Sequence, residues 1–334
     1  MANIKRMGLL VSGGDAPGMN HTIYNILERA QLARVDCTLF RGGYRGLVQN
    51  DTISLKPEQI EPFKDKGGCA IRSSRYPEFK EKGVLKIAGR QLDALDIDNL
   101  VVIGGDGSFR GIKDLEAHTD KQLTGIPATI DNDIPSTKYS IGFDSAVTEN
   151  IRLLDYDRAA NYSQGRITIA EVMGRKSGEI ANAVAQRGNA DILIARELGL
   201  TPDQMAYSVL EQVRHLQSIG QRDITIVAVE KWLNLKDLAN WIHKSTGQEC
   251  RICDHSYAQR GADASEKEKE YAGRFASGVF DQPRTQRARI LTINGDGHME
   301  TKGVTAALAE EKDSSHIRQI PTRTEPYKSP LMLL

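Results

Sequence analysis

Three short stretches of the chain carry residue types that could hold a phosphate and move a proton. Ser12-Gly13-Gly14-Asp15-Ala16-Pro17-Gly18-Met19-Asn20 and Gly104-Gly105-Asp106-Gly107-Ser108-Phe109-Arg110-Gly111 each set glycines directly after an apolar run and before a helical pattern. Glycine lets backbone approach a ligand closely, and the N-terminus of the next helix attracts an anion. Any tight strand–helix turn uses the same residues, so one such loop decides little and two count for more. The third stretch, Thr129-Ile130-Asp131-Asn132-Asp133, also follows an apolar run. Loops at the carboxyl ends of parallel strands are where α/β ligand sites form. If this segment is extended, Asp131 and Asp133 point to opposite sides, one available as a base and the other to organise its neighbours. A solvated Asp-Asn turn is the alternative.

Arg75, Arg166, Arg175, Arg251 and Arg260 stand near the ends of strand-like runs. The planar guanidinium fork suits bidentate phosphate binding. Each is equally a solvated side chain, and spacing does not say whether they converge. Other phosphate and metal patterns fail. No Gly-Lys-Ser/Thr follows a glycine at Walker A spacing, and after Gly105-x-Gly107 the next glycine, Gly111, falls one residue late for the dinucleotide fingerprint. Cys250 and Cys253 form a lone C-x-x-C without a second pair or histidines at ligand spacing, and Cys37 and Cys69 are isolated. The cysteines read as reduced, structural thiols. Asn294-Gly295-Asp296-Gly297-His298 reads as a tight turn.

The elements that must position these residues alternate short apolar runs with longer amphipathic ones. Strand-like runs are Gly8–Val11, Cys37–Phe40, Leu100–Ile103, Gly125–Thr129, Ile167–Val172, Asp191–Ala195, Ile224–Val229 and Ile290–Ile293. Several are apolar at consecutive positions, as strands buried on both faces are. Between them Gly18–Arg34, Phe109–His118, Asp144–Ala160, Lys176–Gln186, Pro202–Ile219, Lys236–Lys244 and Glu266–Val279 place apolar residues at helical spacing. This predicts an α/β fold of two similar lobes, each a mostly parallel sheet sandwiched by helices. Topology puts the lobes at 1–138, joined by a returning segment at about 256–310, and at 139–255, with 311–334 as a C-terminal tail.

Composition bounds the partners. Lys plus Arg equals Asp plus Glu, 44 of each in 334 residues, so no bulk field selects nucleic acid or an anionic membrane. No apolar run approaches the roughly 18–20 residues of a membrane span. Met1–Arg6 leads into a strand-like run without a signal-peptide core. The expectation is a cytoplasmic protein.

Taken together, the segments resemble one family. Gly13–Asn20, Ser74-Arg75-Tyr76-Pro77-Glu78-Phe79, Gly104–Ser108, Thr129–Asp133, Met173-Gly174-Arg175 and Gln259-Arg260-Gly261 occur in the order and spacing of phosphofructokinases. The resemblance runs from about residue 5 to residue 310. It implies the phosphofructokinase-like fold, an ATP- and magnesium-binding first lobe and a sugar-phosphate-binding second lobe. It implies glycolytic transfer of phosphate from ATP to the 1-hydroxyl of fructose 6-phosphate. Gly14, Arg75, Tyr76, Gly107, Ser108 and Gly111 are implied to line the ATP site, and Asp106 to hold Mg2+. Asp131 is implied as the base, with Thr129, Asp133, Met173, Gly174, Arg175 and Glu230 around the sugar and the moving group. Arg251 and Arg260 are implied to bind the 6-phosphate, with Arg166 shared with a neighbouring subunit of a homotetramer. Members that use pyrophosphate carry Asp at the Gly107 position and Lys at the Ala128 position, so ATP is the implied donor.

The chain departs from the family in places. Tyr257 stands for a 6-phosphate-binding histidine, and Ala262–Lys269 for a glycine- and proline-containing stretch. Cys69 and Arg72 stand where the family's loop has Thr and Gly. Tyr24, Glu28, Asp51 and Asp223 stand where bacterial relatives carry the cations of an effector pocket, with Arg158 remaining, so phosphate effectors are expected to act weakly or not at all. Two other readings keep part of the pattern: a non-catalytic regulatory paralogue that binds sugar phosphate or nucleotide, and a kinase for another phosphosugar such as sedoheptulose 7-phosphate.

Overall fold

The computed structural model describes residues 4–283 and 285–326. In chain order the elements are β1 (Arg6–Ser12), α1 (Met19–Leu32), β2 (Asp36–Phe40), α2 (Tyr44–Gln49), β3 (Thr52–Ile53), α3 (Pro57–Ile60), α4 (Lys82–Ala94), β4 (Asn99–Gly104), α5 (Asp106–Glu116), β5 (Gln122–Pro127), α6 (Phe143–Tyr162), β6 (Ile167–Val172) and α7 (Glu179–Arg187). There follow β7 (Ile192–Ile194), α8 (Pro202–Ser218), β8 (Thr225–Val229), α9 (Leu235–Thr246), β9 (Cys250–Asp254), α10 (Ala258–Gly261), α11 (Glu266–Asp281), β10 (Ala288–Ile293), β11 (Met299–Gly303) and α12 (Val304–Ala309). Among the described residues the chain divides into two units, one ending at Ser145 and resumed over Arg260–Lys312, the other made of Ala146–Gln259 and residues 313–326.

The first unit holds a seven-stranded sheet in the order β11-β10-β5-β4-β1-β2-β3. Its central strands β1, β4 and β5 are parallel and buried almost end to end, which is why their sequences are apolar without alternation. Leu10, Val102, Phe109, Ile112, Leu115 and Ile290 belong to one core cluster of this sheet and its helices. Fully buried Arg289 sends its guanidinium to the carbonyls of Val279, Gln282 and Pro283 at the end of α11. Those carbonyls have no helical partner of their own, and a cation suits that end of a helix.

The second unit holds a four-stranded parallel sheet, β7-β8-β6-β9. Ile167, Ile169, Ile192, Ile226, Val209 and Ile242 belong to its core. Residues 313–326 run with this unit: Arg323 pairs with buried Asp191 at 2.7 Å, and His316 with buried Glu179 at 2.8 Å. Cys250 and Cys253, three apart on β9, fall on opposite faces of the strand and are free thiols. Burial pushes the Cys250 thiol up to about 12. Among the described residues no helix is long and apolar enough to cross a membrane.

The structure adds elements that the apolar runs did not mark. β9 mixes exposed and half-buried residues at a sheet edge, so it lacks the continuous apolar signature of its neighbours. α4 buries Leu85, Ala88, Gly89 and Leu92 at helical spacing, but Gly89 reads as a breaker. The glycine serves packing, since a Cβ there would meet the His118 carbonyl oxygen at 2.1 Å.

Glu268, in the first turn of α11, is wholly buried. Its carboxylate accepts from Tyr139 Oη at 3.0 Å and from the Ser145 amide and hydroxyl at 3.2 and 3.0 Å. Burial outweighs these bonds and pushes the carboxyl up to about 7. The folded protein thus holds this proton more tightly than the unfolded chain. The group's contribution is full below the ordinary value of 4.5 and is lost as pH rises through about 7. The loss is ~3 kcal/mol at 1.36 kcal/mol per unit. Urea unfolding at pH 5 and pH 8 should show it, and Glu268→Gln should flatten the difference. An equal drop in the variant would refute this assignment.

Candidate active site

In the first unit β1 has β4 on one side and β2 on the other, so the direction of chain progression reverses between β1 and β4. Ligands of open α/β sheets bind outside the strand ends at such a switch point. Ser12, Gly104 and Pro127 lie in register across β1, β4 and β5. The two glycine loops and the Thr129–Asp133 loop therefore start side by side.

One hydrogen bond ties the glycine loops together, and a second ties the first loop to the Ser74 segment. Ser108 Oγ donates to the Ser12 carbonyl at 3.0 Å, and the Gly13 amide donates to the Ser74 carbonyl at 3.1 Å. Gly104 is needed for this approach, because a Cβ there would lie 2.5 Å from the Ser12 oxygen. Beneath the second loop, Tyr44 donates from its hydroxyl to the Ser108 carbonyl at 2.6 Å and stacks on Phe79 at 3.9 Å. Gly111 leaves room for the Tyr44 ring, which a Cβ would meet at 2.7 Å. Gly107 differs from both. It is exposed, and a Cβ there would meet nothing within 4 Å. The fold does not require glycine at 107.

Asp106 opens α5 and receives Arg110 Nε at 3.0 Å, one turn along the helix. Its side chain is 40% exposed, and no group of three or more His, Cys, Asp or Glu that could cage a metal occurs among the described residues. One accessible carboxylate beside a phosphate-type loop fits magnesium, which takes one or two carboxylates and completes its shell with phosphate oxygens and water. Arg75 is exposed at the rim, while Tyr76 packs against the core cluster. Arg260 pairs with Asp15 and lies against Gly14, 3.6 Å from where a Cβ would stand. It therefore sits on the first glycine loop. Arg72 holds a left-handed backbone, φ 59°, a conformation that glycine adopts without strain.

The Thr129–Asp133 segment is a turn rather than an extended strand. Asn132 has φ 45°, so Asp131 and Asp133 are separated by a bend and not by strand alternation. Asparagine tolerates that conformation. The buried Asn132 side chain accepts from the Ser140 amide at 3.0 Å, and Ser140 Oγ donates to the Thr129 carbonyl at 2.7 Å. The Asp131 amide in turn donates to Thr129 Oγ1 at 3.3 Å. Asn132 is the residue that holds the turn in shape, and its signal in the sequence was the Asp-Asn-Asp run read as a turn alternative.

In the second unit the carboxyl ends of β8, β6 and β9 are neighbours. They carry Glu230, the Met173-Gly174-Arg175 turn, and the segment leading to Tyr257. Gly174 has φ 146°, and a Cβ there would lie 2.2 Å from the Ser177 oxygen. Arg175 is exposed and left-handed at φ 54°. Such a backbone costs of order 1–3 kcal/mol in a non-glycine residue, and strain of this kind gathers at functional sites. Glu230 is half-buried with Lys231 Nζ at 3.1 Å, and Tyr257 is 73% exposed. Arg166 and Arg251 lie elsewhere. Arg166 precedes β6 and pairs with Glu249 at 2.9 Å, and Arg251 is in register with Thr168. Both are at the amino end of the strands, and Arg166 is up to ~30 Å of extended chain from Arg175.

The family model for phosphofructokinase matches residues 6–282. The chain belongs to the phosphofructokinase family. It is 34% identical over 294 residues to the ATP-dependent 6-phosphofructokinase of Tolumonas auensis, covering 88% of each chain. It is 34% identical over 278 residues to that of Yersinia pseudotuberculosis, covering 83% of this chain and 84% of the relative. Solved phosphofructokinases share the fold. The Pichia pastoris enzyme in the T-state superposes with a TM-score of 0.83 at 23% identity over 92% of this chain, which spans 36% of that longer chain. The pyrophosphate-dependent enzyme of Marinobacter aquaeolei gives a TM-score of 0.77 at 20% identity over 94% of this chain and 86% of that one. The family fold thus accounts for the mostly parallel sheets.

Removing the Asn132 brace while keeping its backbone conformation tests the turn. Asn132→Gly should lower stability by about 1–3 kcal/mol, the cost of unmet buried hydrogen bonds. It should also speed hydrogen exchange at the Ser140 amide. Unchanged protection at Ser140 would show that the brace is idle.

Proposed function

We propose that this protein uses ATP to phosphorylate fructose 6-phosphate at its 1-hydroxyl, giving fructose 1,6-bisphosphate as a cytoplasmic step of glycolysis. The observation that carries the reading is the gathering of two glycine loops, an open Gly107 and the Asp131 turn at one switch point. Support comes from relatives at 34% identity named ATP-dependent 6-phosphofructokinases.

The nucleotide belongs to the first unit. The Gly13-Gly14 and Gly105–Gly107 backbones approach the phosphates, Arg75 and Tyr76 border the site, and buried Ser108 and Gly111 hold the loop in shape. Asp106 would hold Mg2+, which supplies charge neutralisation to the phosphate oxygens when bound. Phosphoryl transfer asks for positioning and charge stabilisation more than covalent chemistry. Asp131 takes the proton of the attacking hydroxyl, and Thr129 and Asp133 organise it. Met173, Gly174, Arg175 and Glu230 hold the sugar side, with Arg175 countering charge on the moving group. Arg260 and Tyr257 contribute to holding the 6-phosphate, for which Arg260 must exchange its Asp15 partner. Arg166 and Arg251, at the opposite strand ends, are assigned to the sugar-phosphate site of a neighbouring copy in a homotetramer.

The missing effector cations carry a second proposal. Arg41 already holds Asp51, Lys64 lies over the Tyr24 ring at 4.4 Å, and burial followed by the Asp191 charge raises the Asp223 carboxyl. Nucleoside diphosphate or phosphoenolpyruvate at low millimolar levels should leave the rate curves unchanged, and a cooperative response to either would overturn this.

A coupled assay with ATP, magnesium and fructose 6-phosphate tests the main reading. Asp131→Asn should lower kcat by about 10²–10⁴, the usual worth of general base catalysis. Gly107→Asp should leave the melting temperature in place and raise the KM for ATP at least ~10-fold, since a carboxylate would enter the phosphate space and repel its charge. ADP release that ignores both the sugar and Asp131 would sink the proposal.

A further inference from the structure

The Met173–Ser177 turn poses a mechanical question. Its Gly174 and Arg175 backbones are both at positive φ, and its tight Ser177 amide to Gly174 carbonyl bond at 2.7 Å is internal to the turn. A strained turn persists only where its surroundings over-determine it. Two buried or half-buried side chains bracket it. At its far end Glu197 Oε1 accepts from the Gly178 amide at 2.7 Å. At its near end Gln259 Oε1 accepts from the Met173 amide at 3.1 Å.

Gln259 is wholly buried, and its orientation is dictated by its neighbours. The Met173 amide is a donor only, so the carboxamide must offer oxygen there. Its amino group then donates to the Ser256 carbonyl at 3.2 Å. The same Gln259 oxygen accepts from Asn150 Nδ2 at 2.8 Å, and Asn150 Nδ2 also donates to the Ala146 carbonyl at 2.8 Å. The Asn150 oxygen therefore faces His255 Nδ1, at 2.8 Å, and that ring nitrogen donates. His255 Nε2 completes the series against Asp157 Oδ2 at 2.8 Å. Asn150 is fully buried and the His255 side chain is 4% exposed. A buried polar series of this kind is costly unless every member is paired, and when paired it specifies one geometry. It joins α6, the end of β6, the segment after β9 and α10. None of these side chains belongs to the residues assigned above to ligands.

We propose that Gln259 is a positioning residue for the sugar-phosphate side of the reaction. Its carboxamide oxygen, oriented by Asn150, anchors the Met173 amide and so holds the strained turn that presents Gly174 and Arg175. The inference rests on the function proposed above for that turn, and it predicts an effect on the sugar without one on the nucleotide. A side chain that merely stabilised the fold would not separate the two.

The test uses Gln259→Met, which keeps length and apolar bulk and removes the hydrogen bonds, and Asn150→Ala, which leaves Gln259 in place but unsupported. Hydrogen exchange is read first, without substrates. The Met173 amide should be protected in the parent protein and at least tenfold faster in Gln259→Met, with a smaller increase in Asn150→Ala. Steady-state kinetics then follow. In Gln259→Met the KM for fructose 6-phosphate should rise at least tenfold, or kcat fall by as much, while the KM for ATP stays within twofold. If Gln259→Met does not fold, Asn150→Ala carries both readouts. Unchanged Met173 exchange, or equal rises in both KM values, overturns the inference. A parent protein that transfers no phosphate to any sugar phosphate sinks the functional reading instead, and the exchange measurement still decides whether Gln259 anchors the turn.

Discussion

The hydroxyl of Ser108 donating to the carbonyl of Ser12 joins two loops that are 96 residues apart in the chain. Both loops must leave buried parallel strands, where every backbone group needs a partner, and both must turn sharply enough to start helices. A single buried hydrogen bond satisfies one of those groups and sets the spacing between the loops. The consequences spread outward. Gly104 has to lack a side chain, Tyr44 has to reach the Ser108 carbonyl from below, and Gly111 has to leave room for the Tyr44 ring. The shape of the glycine-loop end of the first unit follows from that one contact and the packing it imposes.

The glycines of this region are consequently not equivalent. At Gly104 and Gly111 a Cβ would strike backbone or an aromatic ring, so the fold explains their presence. At Gly107 it would strike nothing. Gly107 is exposed in the first turn of α5, beside the switch point, and packing there leaves the space above it open.

Both units meet a second demand in the same way. Each builds a turn at a strand's carboxyl end with a residue in the left-handed region, Asn132 in one and Arg175 in the other. Each holds that turn by a buried carboxamide, from Asn132 itself in the first case and from Gln259 in the second. An amide side chain suits the task because it offers donor and acceptor without charge, so it can be sealed from water once both are matched. Strain at the presented residue is then balanced by well-paired groups one layer below it.

The sequence alone determined the α/β class, the positions of the central strands and long helices, the glycine loops and the family. These depend on local patterns: continuous apolar runs for strands covered on both faces, helical spacing for amphipathic faces, and motifs at set intervals. It left out edge strand β9, whose short, partly exposed run carries little signal, and α4, whose Gly89 answers to a carbonyl 29 residues away. The candidate residues were legible as types but not as groups. Arg166 and Arg251 share the amino end of one sheet, and Arg260 turns to Asp15, because strand direction and register decide which end of a strand a side chain serves. The bend at Asn132 was legible as the Asp-Asn turn alternative, whereas the Asn150–Gln259–Met173 series was beyond reach. Its hydrogen bonds join residues 109 and 86 positions apart, and only tertiary packing brings such groups within 3 Å or so and then forbids them to remain unpaired.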